Sequence, residues 1–137
     1  MTRKDVAAVM KGIDLCFMAT LSAEGGISSR PMSNNGQVEW DGSNWFFSYG
    51  DTRKVRELDA NPATTLDFQT EDTWISLRGK AQLHQDDIAL FEEHWASDLD
   101  RWFPEGIDTP GLTLIEVVAE FAEVNGRAGE GTVDLRG

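Results

Sequence analysis

The sequence predicts a mainly β protein, an antiparallel barrel with peripheral helices. Three observations lead there. About six short apolar segments alternate in the two-residue period of half-buried strands. Turn signals rich in Gly, Asn and Asp separate the early ones, as in a meander of hairpins. Helical patterns are inserted between strands without the regular strand–helix alternation of a doubly wound parallel sheet.

Taken in order, residues 5–11 read as a first helix stopped by Gly12. Residues 13–21 are apolar and rich in strand formers. Ala23-Glu24-Gly25-Gly26 turns the chain into a second strand, 27–34, and Asn34-Asn35-Gly36 marks another turn. Residues 38–40 and 45–49 then pair around Asp41-Gly42-Ser43-Asn44. Residues 51–60 form a helix capped by Asp51 or Thr52 and ended by Asn61-Pro62. Strands 63–69 and 74–83 follow. Asp86 caps a helix with Ile88, Phe91 and Trp95 on one face, and residues 99–103 form a short helix stopped by Pro104. In the strand 112–124, Thr113, Ile115, Val117, Ala119 and Phe121 point one way and Glu116 and Glu120 the other. Residues 1–124 make one domain, and 125–137 a flexible glycine-rich tail.

The 137 residues suffice to bury a core without disulfides or metals. No apolar run approaches the ~20 residues of a membrane span, and the apolar patch after Asp5 is too short for a signal peptide. A single cysteine, Cys16, excludes an internal disulfide, which places the chain in the cytoplasm. The formal charge of −12 repels nucleic acid and anionic membranes. Residues 1–60 hold seven basic and eight acidic groups, and the remainder five and sixteen. The first half is therefore the better host for an anionic ligand.

Two segments carry candidate chemistry. In Ser28-Ser29-Arg30-Pro31-Met32-Ser33, residues Ser28, Arg30 and Met32 share a strand face. A half-buried arginine needs a partner, either a carboxylate such as Asp67 or a bound phosphate. The sequence leaves both open. In the segment from Phe46 to Lys54, a strand runs through Gly50 into a helix start. Free N–H groups there attract an anion. Arg53 and Lys54 sit in the first turn, where the helix dipole disfavours cations. A phosphate explains them; so does a solvated helix end capped by Asp51. The five tryptophans supply walls for a planar ring, or fill the core and a subunit interface.

Other chemistries find no footing. His84 and His94 lack the cluster a metal needs. There is no G-x-S-x-G elbow, P-loop or Rossmann glycine pattern. Cys16 reads as a buried inert thiol. Asp86-Asp87, Glu92-Glu93 and Glu71-Asp72 read as caps, solvated faces and a turn.

The order of these pieces resembles the FMN-binding split-barrel superfamily, and within it the general stress proteins (the general stress protein 26-like branch) related to pyridoxamine 5′-phosphate oxidase. The motifs that carry the resemblance are Ser29-Arg30-Pro31-Met32, Trp45-Phe46-Phe47-Ser48, the run from Thr52 to Leu58, Gly79-Lys80-Ala81 and Trp102-Phe103-Pro104-Glu105-Gly106. They span residues 6–124. The resemblance implies an antiparallel split barrel and a homodimer with FMN at the subunit interface. It implies that Arg30, Pro31 and Met32 line the flavin, with Met32 offering backbone groups to the ring edge. Phe47 and Ser48 would lie beside the ring and ribityl chain. Thr52, Arg53 and Lys54 would hold the phosphate, and Trp102 would reach the partner's cofactor. The catalytic residues are not indicated. The implied function is that of an FMN-binding oxidoreductase or flavin reductase-like protein using a small-molecule electron donor. The alternatives are a non-enzymatic flavin-binding stress module, or the same fold with a deazaflavin, haem or no cofactor. Trp74 stands near a position where the oxidases proper carry a flavin-contacting glutamine. The tail lacks their basic groups for the substrate phosphate. Both departures argue against pyridoxamine phosphate oxidation.

Overall fold

Alternating apolar side chains build most of this molecule, and in the computed structural model, which describes residues 1–33 and 39–136, they form a single antiparallel sheet. The strands are β1 (Leu15–Leu21), β2 (Ile27–Ser33), β3 (Ser43–Tyr49), β4 (Ala63–Gln69), β5 (Thr73–His84), β6 (Leu112–Gly126) and β7 (Gly131–Asp134). Their order is β2-β1-β4-β5-β6-β3, with β7 also paired to β6. The helices are α1 (Arg3–Met10), α2 (Arg53–Ala60) and α3 (Ile88–His94), joined by short 3-10 turns at Ser97–Arg101 and Gly106–Asp108. This is the mainly β architecture with peripheral helices that the strand periodicity predicts, and the antiparallel sheet is the one the split-barrel resemblance implies.

The inward residues of the strands form the main core, including Met18, Leu66, Phe68, Leu77, Ile115 and Val117, each at most 1% exposed. Burying such a side chain contributes roughly 1.5–3 kcal/mol. Helix α1 adds Val6 and Met10, four residues apart on one face. It begins two residues earlier than expected because Thr2 and Asp5 form a capping box. Asp5 accepts from the Thr2 amide at 2.7 Å and Thr2 accepts from the Asp5 amide at 3.3 Å. Helix α2 closes the same core with Val55 and Leu58. A second, smaller cluster lies on the far side of β3 and β6. There Leu112 and Leu114 meet Phe91 of α3 and Phe103, with Trp45, Phe47 and Trp95 around them.

Five expectations are corrected. Strand β3 pairs with β6, from Ser43↔Val118 to Tyr49↔Leu112. Glu39 and Trp40 are not in a strand, and residues 34–38, including the Asn34-Asn35-Gly36 turn, lie outside the described residues. Helix α3 is capped by Asp87 rather than Asp86, through the Leu90 amide at 3.1 Å, and Ile88 is 48% exposed. The short helix expected at 99–103 is a 3-10 turn ending at Arg101.

The fourth concerns β6, whose facing changes midway. Its register against β5 shifts between Arg78 and Gly79: Arg78 faces Phe121, and Gly79 faces Ala119. Glu120 is the extra residue of the bulge. A Cβ at Gly79 would run into the Val118 carbonyl, so only glycine allows this close approach. Beyond the bulge Ala122 and Val124 point inward, and Phe121 turns outward beneath the Arg78 guanidinium, 4.5 Å from its ring centroid. The segment expected as a tail carries the end of β6 and all of β7, because Val133 and Leu135 pack against the main core and the Leu135 amide donates to the Glu120 carbonyl at 2.9 Å.

Candidate functional site

The candidate site collects where β1, β2 and the start of α2 meet. Among the described residues strand β2 lies at the sheet edge, paired only with β1, so Pro31 with its missing N–H is tolerated there, opposite Phe17. Ser28, Arg30 and Met32 take the inner side and Ser29, Pro31 and Ser33 the exposed side, as the alternation predicts. Met32 packs against the core.

Arg30 has internal partners. Its Nη1 donates to the Met18 carbonyl at 3.1 Å and to Thr20 Oγ1 at 2.8 Å, and its Nη2 lies 3.4 Å from Glu57 Oε1. The carboxylate is therefore Glu57 of α2, not Asp67. Asp67 stands opposite Phe17 on the outer side of the sheet, while Arg30 points inward. Thr20 completes the triangle by donating to Glu57 Oε1 at 2.8 Å. Arg53 also approaches Glu57, with Nε 3.6 Å from Oε2, although its side chain is 69% exposed.

Lys54 is different. Among the described residues no carboxylate lies within ion-pair distance of it. Burial first, and the Arg30 guanidinium second, lower its pKa from 10.5. It is a half-buried ammonium under the field of a second cation, with no carboxylate partner among the described residues, an arrangement that an anion would relieve.

The start of α2 is also uncapped by side chains. Thr52 is the N-cap residue, but its hydroxyl donates to the Tyr49 carbonyl at 3.1 Å and lies 3.2 Å from Ser48 Oγ, leaving the first-turn amides without a side-chain acceptor. No acidic residue stands in that turn. Neither expected cap, Asp51 nor Thr52, makes the capping bond. Ser48 and Thr52 both donate their single hydroxyl proton to the Tyr49 carbonyl, at 2.9 and 3.1 Å, which fixes the turn. The first-turn amides and the Lys54 ammonium are donors suited to a phosphate, so the residues present fit a phosphomonoester.

The remaining candidates are placed elsewhere. Phe47 leaves β3 on the face opposite Ser48 and packs edge-on against Trp95 and Phe91, at 4.9 and 5.8 Å between centroids. Trp102 is 62% exposed, with the Arg101 guanidinium 5.2 Å from its ring. Its carbonyl accepts the Tyr49 hydroxyl at 2.8 Å, which ties it to the end of β3 that leads into α2. The structure thus groups Arg30, Ser48, Thr52, Arg53 and Lys54, and leaves Phe47 and Trp102 outside that group. Sequence reasoning missed Thr20 and Glu57. The available signal was an acid one turn after Arg53 on the apolar side of α2, between Val55 and Leu58.

Both histidines stack on one indole. Trp45 lies between His94, with centroids 3.8 Å apart, and His84, at 5.9 Å. His84 Nε2 is 3.0 Å from Glu116 Oε1, and Ser43 donates to Glu116 Oε2 at 3.0 Å. Among the described residues no group of three or more His, Cys, Asp and Glu is arranged to hold a metal ion. No helix among them is long and apolar enough to cross a membrane.

Comparison with known proteins follows the same lines. The family profile described as Pyridoxamine 5'-phosphate oxidase like matches residues 2–133. Among solved structures, a Clostridium acetobutylicum protein related to general stress protein 26 superposes with a TM-score of 0.81 at 20% identity, over 96% of this chain and 93% of that one. General Stress Protein 26 from Bacillus anthracis str. Sterne gives 0.80 at 16% identity, over 96% and 97%. A pyridoxamine 5'-phosphate oxidase-related, FMN binding protein from Nostoc punctiforme gives 0.73 at 13% identity, over 95% and 87%. No curated protein matches in sequence.

Proposed function

Since the chain belongs to the pyridoxamine 5'-phosphate oxidase like family, we propose that it binds FMN, gripping the phosphate at the start of α2, and works as an oxidoreductase-like flavoprotein. The observation that carries this reading is Lys54, half-buried beside Arg30 without a carboxylate of its own. An unpaired cation in that position costs free energy unless an anion answers it. The similarity to a protein described as FMN binding supports flavin as the body attached to that phosphate.

Bound FMN supplies two-electron redox chemistry; the protein binds and orients it. Lys54 and the α2 amides neutralise the phosphate. Ser48 and Thr52 hold the turn in shape through the Tyr49 carbonyl. Arg30 is fixed by Met18, Thr20 and Glu57, and among the described residues two of its five N–H donors have no partner, so they can serve a ligand. Pro31, Met32, Phe47 and Trp102 remain proposed flavin contacts on the strength of the family resemblance. The protein works as a homodimer in this reading. What supports it is the exposed apolar face of the sheet: Phe17 is 53% exposed, Ile27 76% and Trp74 46%. Such an exposed apolar face suits a subunit interface. The small-molecule electron donor reaches the flavin from the cytoplasm, with no nucleic acid or membrane involved.

A second reading keeps the flavin and drops catalysis. It is favoured by the placement of both histidines: they stack on Trp45 of β3, His84 also meets Glu116, and neither is among the residues grouped at the start of α2. A spectrum of freshly purified protein, followed by anaerobic NADH and NADPH, separates the readings. A yellow protein whose flavin is reduced and then turns over with an acceptor is an oxidoreductase. A yellow protein that no nicotinamide reduces is a binding module. A colourless protein that takes up no added FMN retires both.

A further inference from the structure

The least expected group in the candidate site is an acid. Glu57 is 9% exposed and lies within a cluster that otherwise carries Arg30, Arg53 and Lys54. A carboxylate beside a phosphate repels it, and a buried carboxylate is costly in its own right. Its contacts show what offsets this. One oxygen, Oε1, receives the Thr20 hydroxyl at 2.8 Å and faces Arg30 Nη2 at 3.4 Å; the other faces Arg53 Nε at 3.6 Å. Thr20 Oγ1 in turn receives Arg30 Nη1 at 2.8 Å. Among the described residues Glu57 is the one group in contact with both guanidiniums, and these come from different elements, β2 and α2.

We infer that Glu57 is a positioning residue that locks Arg30 and Arg53 in place and trims the charge of the cluster to suit a phosphomonoester. Three cations less one carboxylate leave a surplus of two positive charges, which matches the charge of about −1.5 to −2 on such a group near neutral pH. Without Glu57 the exposed Arg53 side chain is free to sweep solvent, and the two remaining Arg30 donors lose their fixed direction. The inference rests on the phosphate reading above, and its test separates the two.

The experiment compares wild type, Glu57→Gln and Thr20→Val for binding of FMN, riboflavin and orthophosphate, with thermal unfolding of each as the check on folding. Glutamine keeps the shape of Glu57 and accepts from Thr20, but loses the charge. Positioning predicts that FMN weakens about tenfold in Glu57→Gln, the order of one charge-assisted hydrogen bond. Riboflavin, which lacks the phosphate, is unchanged. Thr20→Val, which removes the hydroxyl linking Arg30 to Glu57, gives the same selective loss, smaller in size. A purely structural role lowers FMN and riboflavin binding together and overturns the inference. Tighter FMN binding by Glu57→Gln also overturns it, because Glu57 is then a competitor. If wild type binds orthophosphate but no flavin, the flavin is wrong and the inference is read on orthophosphate. If FMN binds wild type and Glu57→Gln equally, the inference is wrong and the flavin stands. Binding of neither probe by wild type overturns both.

Discussion

Two glutamates are drawn toward the interior at opposite parts of the sheet, and their surroundings differ. Glu116 of β6 receives a serine hydroxyl and faces one histidine, with Trp45 stacked beside the imidazole. Each of its oxygens has one partner, a serine hydroxyl or a histidine ring nitrogen. Glu57 faces two guanidiniums and a threonine, with Lys54 left over. A network that closes on itself holds structure together. A network with a leftover half-buried cation is incomplete until an anion arrives.

The comparison breaks first at Arg30. Arg30→Met removes the partner inside the sheet and leaves Glu57 to Thr20 and the exposed Arg53. Breaking a buried pair costs about 3 kcal/mol, and denaturant unfolding should show a loss of that order. Glu116→Gln, which keeps hydrogen-bonding capacity, should cost only about 1 kcal/mol in the same assay. Equal losses would mean that the two networks do not differ as described.

Lys54 sharpens the comparison from the ligand side. Lys54→Met should weaken FMN by about 1.5–3 kcal/mol in a fluorescence titration, the worth of one hydrogen bond to a charged group. It should not reduce stability. A folded pKa below the unfolded value favours the native state only above the unfolded pKa, and the benefit is gone once pH falls through the folded value. At neutral pH the charged lysine is therefore a burden on the fold. FMN affinity should in turn fall as pH rises through the lowered Lys54 pKa, beginning below the ordinary 10.5. An alkaline limb that persists unchanged in Lys54→Met assigns that limb to another group.

Cys16 gives the smallest effect. Burial, and then the charge of Asp67, push its thiol up to about 12 from 9.0. Native protein should react with a thiol reagent only at the rate of unfolding, while denatured protein reacts at once. The raised value favours the fold below pH 9.0, and that contribution is gone once pH has risen through about 12.

Much of the fold was legible because its signals are local. Strand β4 falls on residues 63–69 as expected, and the turn at Gly25 sets the β1–β2 hairpin. What was not legible depends on partners distant in sequence. A turn around Gly42 suggests pairing across it, yet β3 joins β6, where Phe46 reaches one core and Phe47 the other. The facing of Phe121 was misread because one bulged residue, Glu120, reverses every side chain beyond it. The cations of the site were legible as charges out of place at a helix start. Their pairing was not, because Glu57 lies 27 residues from Arg30 and nothing in either local pattern connects them.

The most direct test of the account is calorimetric titration of cofactor-free protein with FMN and with riboflavin. The account predicts one FMN per chain, bound at least about tenfold tighter than riboflavin because the phosphate adds contacts to Lys54 and the α2 amides. Equal affinity for the two, or no binding of either, would contradict it.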